Sequence, residues 1–304
     1  MEAVQNVENK KINAKEIRGI NKQTFAQRLS GYKRQPLSLF LLIVVCLSAL
    51  LTVGVLLFLI GYILVNGIPN IKPELFEWEY NTDNVSMLPS MINTLYMTGL
   101  TLLMAVPVGI FSAIYMVEYA KRGSKLVKIV RTTTETLQGI PSIVYGLFGY
   151  LMFVIGCHWG YTLMAGAITL AIMVLPVIMR TTEEALLSVP DSYREGSFGL
   201  GAGRLRTVFV IVLPSAMPGI FSGIILAIGR IVGETAALIF TAGTVATAAT
   251  GVMDSTRTLA VHMYCLLSEG LYMKQAYATA VILLVMVLVI NAVSGMIAKK
   301  FTKK

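Results

Sequence analysis

The sequence is short of charge. Asp, Glu, Lys and Arg together make up 13% of its 304 residues, about half the share found in an ordinary soluble domain. Cysteine is scarce as well: Cys46, Cys157 and Cys265 are too few and too scattered for a disulfide framework or a zinc site. Cys46 lies inside an apolar block and reads as a small hydrophobe. Cys157 and Cys265 both fall toward one face, which leaves a single bridge open beside the preferred reading of two unpaired thiols. The two histidines, His158 and His262, are far apart and carry no metal-ligand spacing, so neither a metal site nor a metal-dependent membrane enzyme is expected. The pattern G-x-x-x-x-G-K-[ST] is absent, which excludes a phosphate-cradling P-loop and with it ATP hydrolysis by this chain. No cleavable signal is evident, because the first apolar block opens near Leu37 behind a long polar tail.

What is abundant is apolar sequence in long blocks. Hydrophobic residues make up 56% of the chain, and the mean hydropathy is +0.73. Blocks of about 20 apolar residues are what a helix needs to cross roughly 30 Å of hydrocarbon. The expectation is therefore an all-α polytopic membrane protein with six spans, over residues 37–65, 91–117, 134–156, 161–179, 215–243 and 276–297. Pro141 in the third span removes a backbone donor and predicts a kink or local unwinding there. The segment 244–275 is Thr/Ala-rich and is read as partly helical. Three regions result: a basic tail at 1–36, a transmembrane domain at 37–298 and a basic C-terminus at 299–304. Phe25 and Leu29 hint at a short interfacial helix within a tail otherwise expected to be disordered.

The net charge of +9 does not point to nucleic acid, because the cations sit at helix ends. Twenty-one Lys and Arg residues fall on the face that carries both termini. Three (Lys72, Arg257 and Lys274) fall on the other, and Arg230 lies within the fifth span. So uneven a distribution places both termini, and the loop 180–214, in the cytoplasm of a cell membrane.

Within that loop, residues 189–214 form the one long polar-to-amphipathic stretch between two apolar blocks. Pro190 and Asp191 end the preceding helix. Ser192-Tyr193-Arg194-Glu195 fits a capping box with serine at the cap, which predicts a short helix over 192–200. Gly199, Gly201 and Gly203 then permit a sharp bend, and a second run over 204–212 returns to the membrane. The spacing is more specific than the cap: Glu195-Gly196-Ser197, three residues, Gly201, nine residues, Ile211, one residue, Leu213-Pro214. It resembles the EAA signature of ABC-importer permeases, with both alanines replaced by small residues. The resemblance implies a type I (MetI-like) permease fold and a coupling helix, with Arg194 beside the motif, seated in a separate ATPase. ATP and magnesium would be used by that partner, and no cofactor would be bound by this chain.

The fifth span carries a second signal. Arg230 and Glu234 stand at i, i+4, which puts them on one face of a helix. Burying such an arginine costs about 3 kcal/mol on insertion scales, so it needs a partner or a water-filled path. The substrate-path reading has Arg230 attract an anion at the midplane while Glu234 partly neutralises it. The alternative is a structural ion pair. Gly219, Gly223 and Ala227, followed by Gly229 and Gly233, read as small residues that let helices approach closely.

Here the resemblance narrows. GRIVGETAALIFTAG at 229–243, GIPSIVYGLFGY at 139–150 and the loop from 175 to 202 resemble the permeases of phosphate ABC importers, over roughly residues 85–300. The GETA…LIFTAG form and the AYATAVILL ending are more similar to the PstA than to the PstC branch. That resemblance implies a PstC-type partner, two copies of a PstB-type ATPase and an extracytoplasmic phosphate-binding protein, in a prokaryotic cell membrane. Permeases for sulfate, molybdate or tungstate remain alternatives. An ion-coupled secondary transporter is another, but it would favour internal repeats and broken helices, and beyond the prolines the sequence shows neither.

Overall fold

The computed structural model describes residues 36–121 and 123–302, with side chains for 37–121 and 123–300. The tail at 1–35, including the interfacial helix expected around Phe25 and Leu29, lies outside the described residues, as do Lys303 and Lys304. Contacts divide the chain into two units, Met1–Gly61 and Tyr62–Lys304. Helix α1, Pro36–Gly67, runs across that boundary. It has no charged residue and is apolar on every side, the composition of a helix bathed in lipid rather than of one with a polar face.

The second unit is built on long helices. Helix α2 (Leu88–Ile114) continues through a π-helical turn at Tyr115–Tyr119. Helix α3 (Lys125–Gln138) and helix α4 (Ser142–Gly149, with π-helical turns to Gly156) follow. Helix α5 is Leu163–Leu187, and the short α6 is Asp191–Gly199. Helix α7 (Arg204–Thr207) passes through a π-helical turn into α8 (Leu213–Val232), giving one rod over Arg204–Val232. Helices α9 (Ala236–Thr241), α10 (Leu259–Glu269) and α11 (Met273–Thr302) complete the chain. Among the described residues five helices are long and apolar enough to cross a membrane, and a sixth span results if α3 and α4 count as one.

That pair departs from the straight third span expected at 134–156. Helices α3 and α4 meet at 104°. Pro141 is extended (φ −60°, ψ 143°) and cannot donate, so the helix stops at Gln138 and restarts at Ser142. The basic residues expected in a loop are instead carried largely by α3, which is amphipathic. The fifth span is also longer at its start and shorter at its end than 215–243. It begins at Arg204 and breaks after Val232.

Helices α2, α5 and α8 form the centre, with Met97, Leu170, Met173, Ile178 and Ile231 almost wholly buried between them. Lipid supplies little hydrophobic force between helices, so close backbone approach has to. A Cβ at Gly109 would lie 2.7 Å from Ile178 Cγ2, and one at Gly166 would lie 2.9 Å from Met97 Cε. Three buried threonines bond within their own helices: Thr94 and Thr98 each donate 2.7 Å to the carbonyl four residues back, and Thr169 donates 2.8 Å to Ala165.

The segment 244–258 is stitched across the ends of α2 and α5. Asn93 donates to the Thr247 and Arg257 carbonyls and accepts from the Ala249 amide. Met164 and Leu163 amides donate to Val252 and Asp254. Asp254 in turn accepts from Thr250 and Gly251, Thr250 foremost, which holds its carboxyl below the usual range. All three cysteines are unpaired.

Candidate functional site

Helix α6 is the short helix expected outside the apolar blocks, but the capping box does not form. Pro190, fixed at φ −57° and ψ 138°, already occupies the cap, and Asp191 is the first helical residue. Ser192 and Glu195 thereby fall at the second and fifth helical positions, out of register for reciprocal capping. Asp191 still places a carboxylate in the first turn, where the helix dipole favours it.

The other end of α6 explains the glycine of the motif. Gly201 sits at φ +81°, its amide donates 2.9 Å to the Phe198 carbonyl, and the Ala202 amide donates 3.1 Å to Ser197. This pair of bonds is a Schellman turn, which needs a left-handed residue at the position after the cap. Ser197 is buried, and its hydroxyl lies 2.8 Å from that of Thr207, tying α6 to the start of the α7–α8 rod. Around Gly196 a Cβ would meet nothing within 4 Å, so smallness there answers no demand made by this chain itself.

Arg194 faces inward. Its Nε and Nη2 donate 3.1 and 2.7 Å to Glu118 Oε1 at the end of α2, and Nη2 also donates 2.9 Å to the Leu186 carbonyl. Its Nη1 donates 2.8 Å to the Val189 carbonyl and 3.2 Å to Asp191 Oδ1. The Arg194 and Glu118 side chains are only 14% and 9% exposed. One guanidinium thus fastens α6 to the ends of both α2 and α5. The sequence pattern singled out Arg194 but not Glu118, whose only signal was an isolated acid just before a basic stretch.

Beneath α6, Val208, Val212, Ala216 and Ile220 pack with Leu186, Val189, Ala113 and Ile114, and Leu213 lies against their edge. Of the motif's last residues, Ile211 is half-buried and Pro214 is exposed near the start of α8. The motif therefore divides by role. Ile211, Leu213 and Pro214 belong to the rod, and Gly201 makes the turn. Glu195 is exposed and makes no ion pair among the described residues. On α6 and just after it Tyr193, Phe198, Leu200 and Leu205 are exposed, Leu200 to 91%. An exposed carboxylate with exposed apolar side chains on a clamped helix suits docking to another protein. Beside it lies a cavity of about 850 Å³ lined by Glu118, Lys128, Arg131, Arg194 and Phe198.

The second candidate region is corrected by the break in the fifth span. Helix α8 ends at Val232, Gly233 follows the last turn, and Glu234 lies between α8 and α9. Arg230 and Glu234 therefore do not share a helix face, and they form no ion pair. Glu234 is buried, and its Oε1 accepts 3.1 Å from the Ala237 amide at the start of α9. Arg230 is half-buried in an open groove of about 500 Å³ with Val177, Ile225, Leu226, Gly229 and Asn291. No carboxylate among the described residues pairs with it.

The glycines of α8 also divide. A Cβ at Gly219 would lie 2.6 Å from Ala185 Cβ, and one at Gly223 would run into Thr181 of α5. At Gly229 a Cβ would meet nothing within 4 Å, and at Gly233 only the Gly229 carbonyl at 3.5 Å. Gly229 and Gly233 are thus not points of helix packing: one borders the groove and the other ends the helix. Helices are broken at 139–141, where Pro141 predicted it, and at 233–235, which was unforeseen. The two pieces after the breaks meet, with Gly146 of α4 so close to α9 that a Cβ would lie 2.8 Å from Ala237 Cα.

Comparison with known proteins agrees over most of the chain. Residues 105–304 match the family described as "Binding-protein-dependent transport system inner membrane component". The chain is 34% identical over 282 residues to the protein named "Probable ABC transporter permease protein YqgI" of Bacillus subtilis, covering 85% of this chain and 94% of that one. It is 32% identical over 218 residues to the "Phosphate transport system permease protein PstA" of Haemophilus influenzae, covering 71% of this chain and 77% of the relative. Among solved structures, a bacterial alginate ABC transporter in complex with a pentasaccharide-bound periplasmic protein superposes with a TM-score of 0.60. That match has 18% identity and covers 85% of this chain and 95% of the other.

Proposed function

We propose, because this chain belongs to the family of binding-protein-dependent transport system inner membrane components and is a PstA-type permease subunit of the ABC importers, that it carries phosphate inward across a prokaryotic cell membrane. In this reading it lines the pathway with a homologous PstC-type subunit. Two PstB-type ATPases hydrolyse ATP with magnesium, an extracytoplasmic protein delivers phosphate, and both termini are cytoplasmic. The chain itself contributes no nucleotide chemistry.

The observation that carries the mechanism is the clamp on α6. An ATPase gripping Glu195, Tyr193, Phe198 and Leu200 pushes on a helix that cannot move alone. Arg194 passes the displacement to α2 and α5, and the Ser197–Thr207 contact passes it to the α7–α8 rod. Arg230 lies near the far end of that rod, 26 residues beyond its first residue Arg204, or about 39 Å along a helix rising 1.5 Å per residue. Rocking the rod therefore moves the groove that holds Arg230. Its uncompensated charge lowers the electrostatic barrier to an anion crossing the low-dielectric membrane interior. Glu234 holds the start of α9 rather than neutralising Arg230.

The test is uptake of labelled phosphate by the assembled transporter with sulfate, molybdate or tungstate as competitor. Inhibition by unlabelled phosphate alone fits this reading. Preferential inhibition by another oxyanion removes phosphate as the cargo and leaves the coupling mechanism standing.

A further inference from the structure

Seven of the buried side-chain nitrogen and oxygen atoms that lack a hydrogen-bond partner among the described residues belong to five residues: Ser90, Thr256, Arg257, Thr258 and His262. The fold draws their segments together. Asn93 donates 3.2 Å to the Arg257 carbonyl, and the Leu259 amide donates 2.8 Å to Thr94 Oγ1, one turn after Ser90. The His262 amide bonds to the Thr258 carbonyl at 2.8 Å. Arg257 is 5% exposed with Nε and Nη2 unpartnered, and His262 is fully buried with both ring nitrogens unpartnered.

No carboxylate among the described residues pairs with Arg257. The Tyr80 ring covers its guanidinium, with the ring centroid 4.6 Å from Cζ, and the Cys265 thiol also lies against it. That ring also stands edge-on to His262, with centroids 6.2 Å apart. An aromatic face is a weak substitute for an anion, and a buried cation without one is strongly disfavoured. Guanidinium, hydroxyl and neutral imidazole groups are together the donors that a tetrahedral oxyanion requires.

We infer that Ser90, Arg257, Thr258 and His262 form a second oxyanion site, with Tyr80 covering the guanidinium when the site is empty. It lies in the segment between α9 and α10 and beside the start of α2, apart from the groove that holds Arg230. The anion reaches Arg257 when Tyr80 lifts, and it remains bound through charge-assisted bonds. The site rests on the proposed function only for which oxyanion fills it; its existence rests on the unpartnered donors.

The test uses the intact transporter in lipid nanodiscs, without ATP or binding protein, in an Arg230→Ala background so that the groove does not contribute. Equilibrium binding of labelled inorganic phosphate is expected there. Arg257→Gln is expected to weaken it by about tenfold or more, because a charge-assisted bidentate donor is lost. Arg257→Lys keeps the charge and should weaken it less. Excess chloride should not displace it. If sulfate or molybdate binds in an Arg257-dependent way and phosphate does not, the site stands and phosphate falls as the cargo. If no oxyanion binding depends on Arg257, and Arg257→Gln raises the melting temperature, the residue is an uncompensated charge and the inference is overturned. Should Arg257→Gln fail to assemble, Ser90→Ala and Thr258→Val take its place, and phosphate binding undiminished in both overturns the inference equally.

Discussion

Replacing Glu118 with alanine probes the step by which displacement of α6 reaches the membrane helices. Glu118 Oε1 accepts both Nε and Nη2 of Arg194, and both side chains are largely buried. Removing one member of such a pair costs about 3–5 kcal/mol, because the other charge is left uncompensated. Arg194 keeps its bonds to Leu186, Val189 and Asp191, which argues for the lower end. At about 1.4 kcal/mol per tenfold, 3 kcal/mol lowers the population of the clamped geometry about a hundredfold. The assay is the ratio of phosphate imported to ATP hydrolysed by the reconstituted transporter. Hydrolysis should persist while the ratio collapses. Glu118→Leu with Arg194→Met, which removes both charges and keeps apolar bulk, should restore assembly better than either single change. A wild-type transport ratio in Glu118→Ala would refute the reasoning, since α6 would then transmit force without its tether.

Gly201→Ala should cost about 1–2 kcal/mol from left-handed backbone strain alone, since no neighbour crowds a Cβ there. Gly201→Asn should cost less, and ATPase co-purification reads the difference. Gly223→Val should disrupt α5–α8 packing against Thr181 and reduce the yield of folded subunit, whereas Gly229→Ala should be tolerated. Burial foremost, and Arg257 second, push the His262 pKa down to about 3 from the ordinary 6.5, in a helix outside the long spans. The unfolded chain therefore takes up a proton that the folded one refuses. This contribution is complete above pH 6.5 and declines as pH falls toward 3. The melting temperature should drop between pH 6.5 and 5, and His262→Asn should flatten that slope; an unaltered slope contradicts the assignment.

Hydropathy made the spans legible because a bilayer demands unbroken apolar length, and residues 37–65 and 276–297 lie within α1 and α11. The Pro141 kink was legible too from its missing amide, yet Pro107, Pro176 and Pro218 lack the same donor and lie inside unbroken helices. The coupling loop was legible through spacing, yet its local capping was misread: Pro190 competes with Ser192 for the cap, and the pattern alone does not rank them. Arg230 and Glu234 were misjoined for a related reason. Their i, i+4 spacing assumes a continuous helix, while Gly233 and the restart at Ala236 end it. The burial of Arg257 was invisible. In the sequence it is one cation in a polar loop, and only the pairing of that loop with Asn93 and Thr94 encloses it.

The central claim is that work delivered to α6 moves an anion past Arg230. Its most direct measurement is ATP-dependent uptake of labelled phosphate into proteoliposomes holding the complete transporter, comparing wild type with Arg230→Ala. The account predicts uptake that requires ATP and is abolished in Arg230→Ala, with subunit assembly and ATP hydrolysis retained. Uptake independent of ATP, or undiminished in Arg230→Ala, would contradict it.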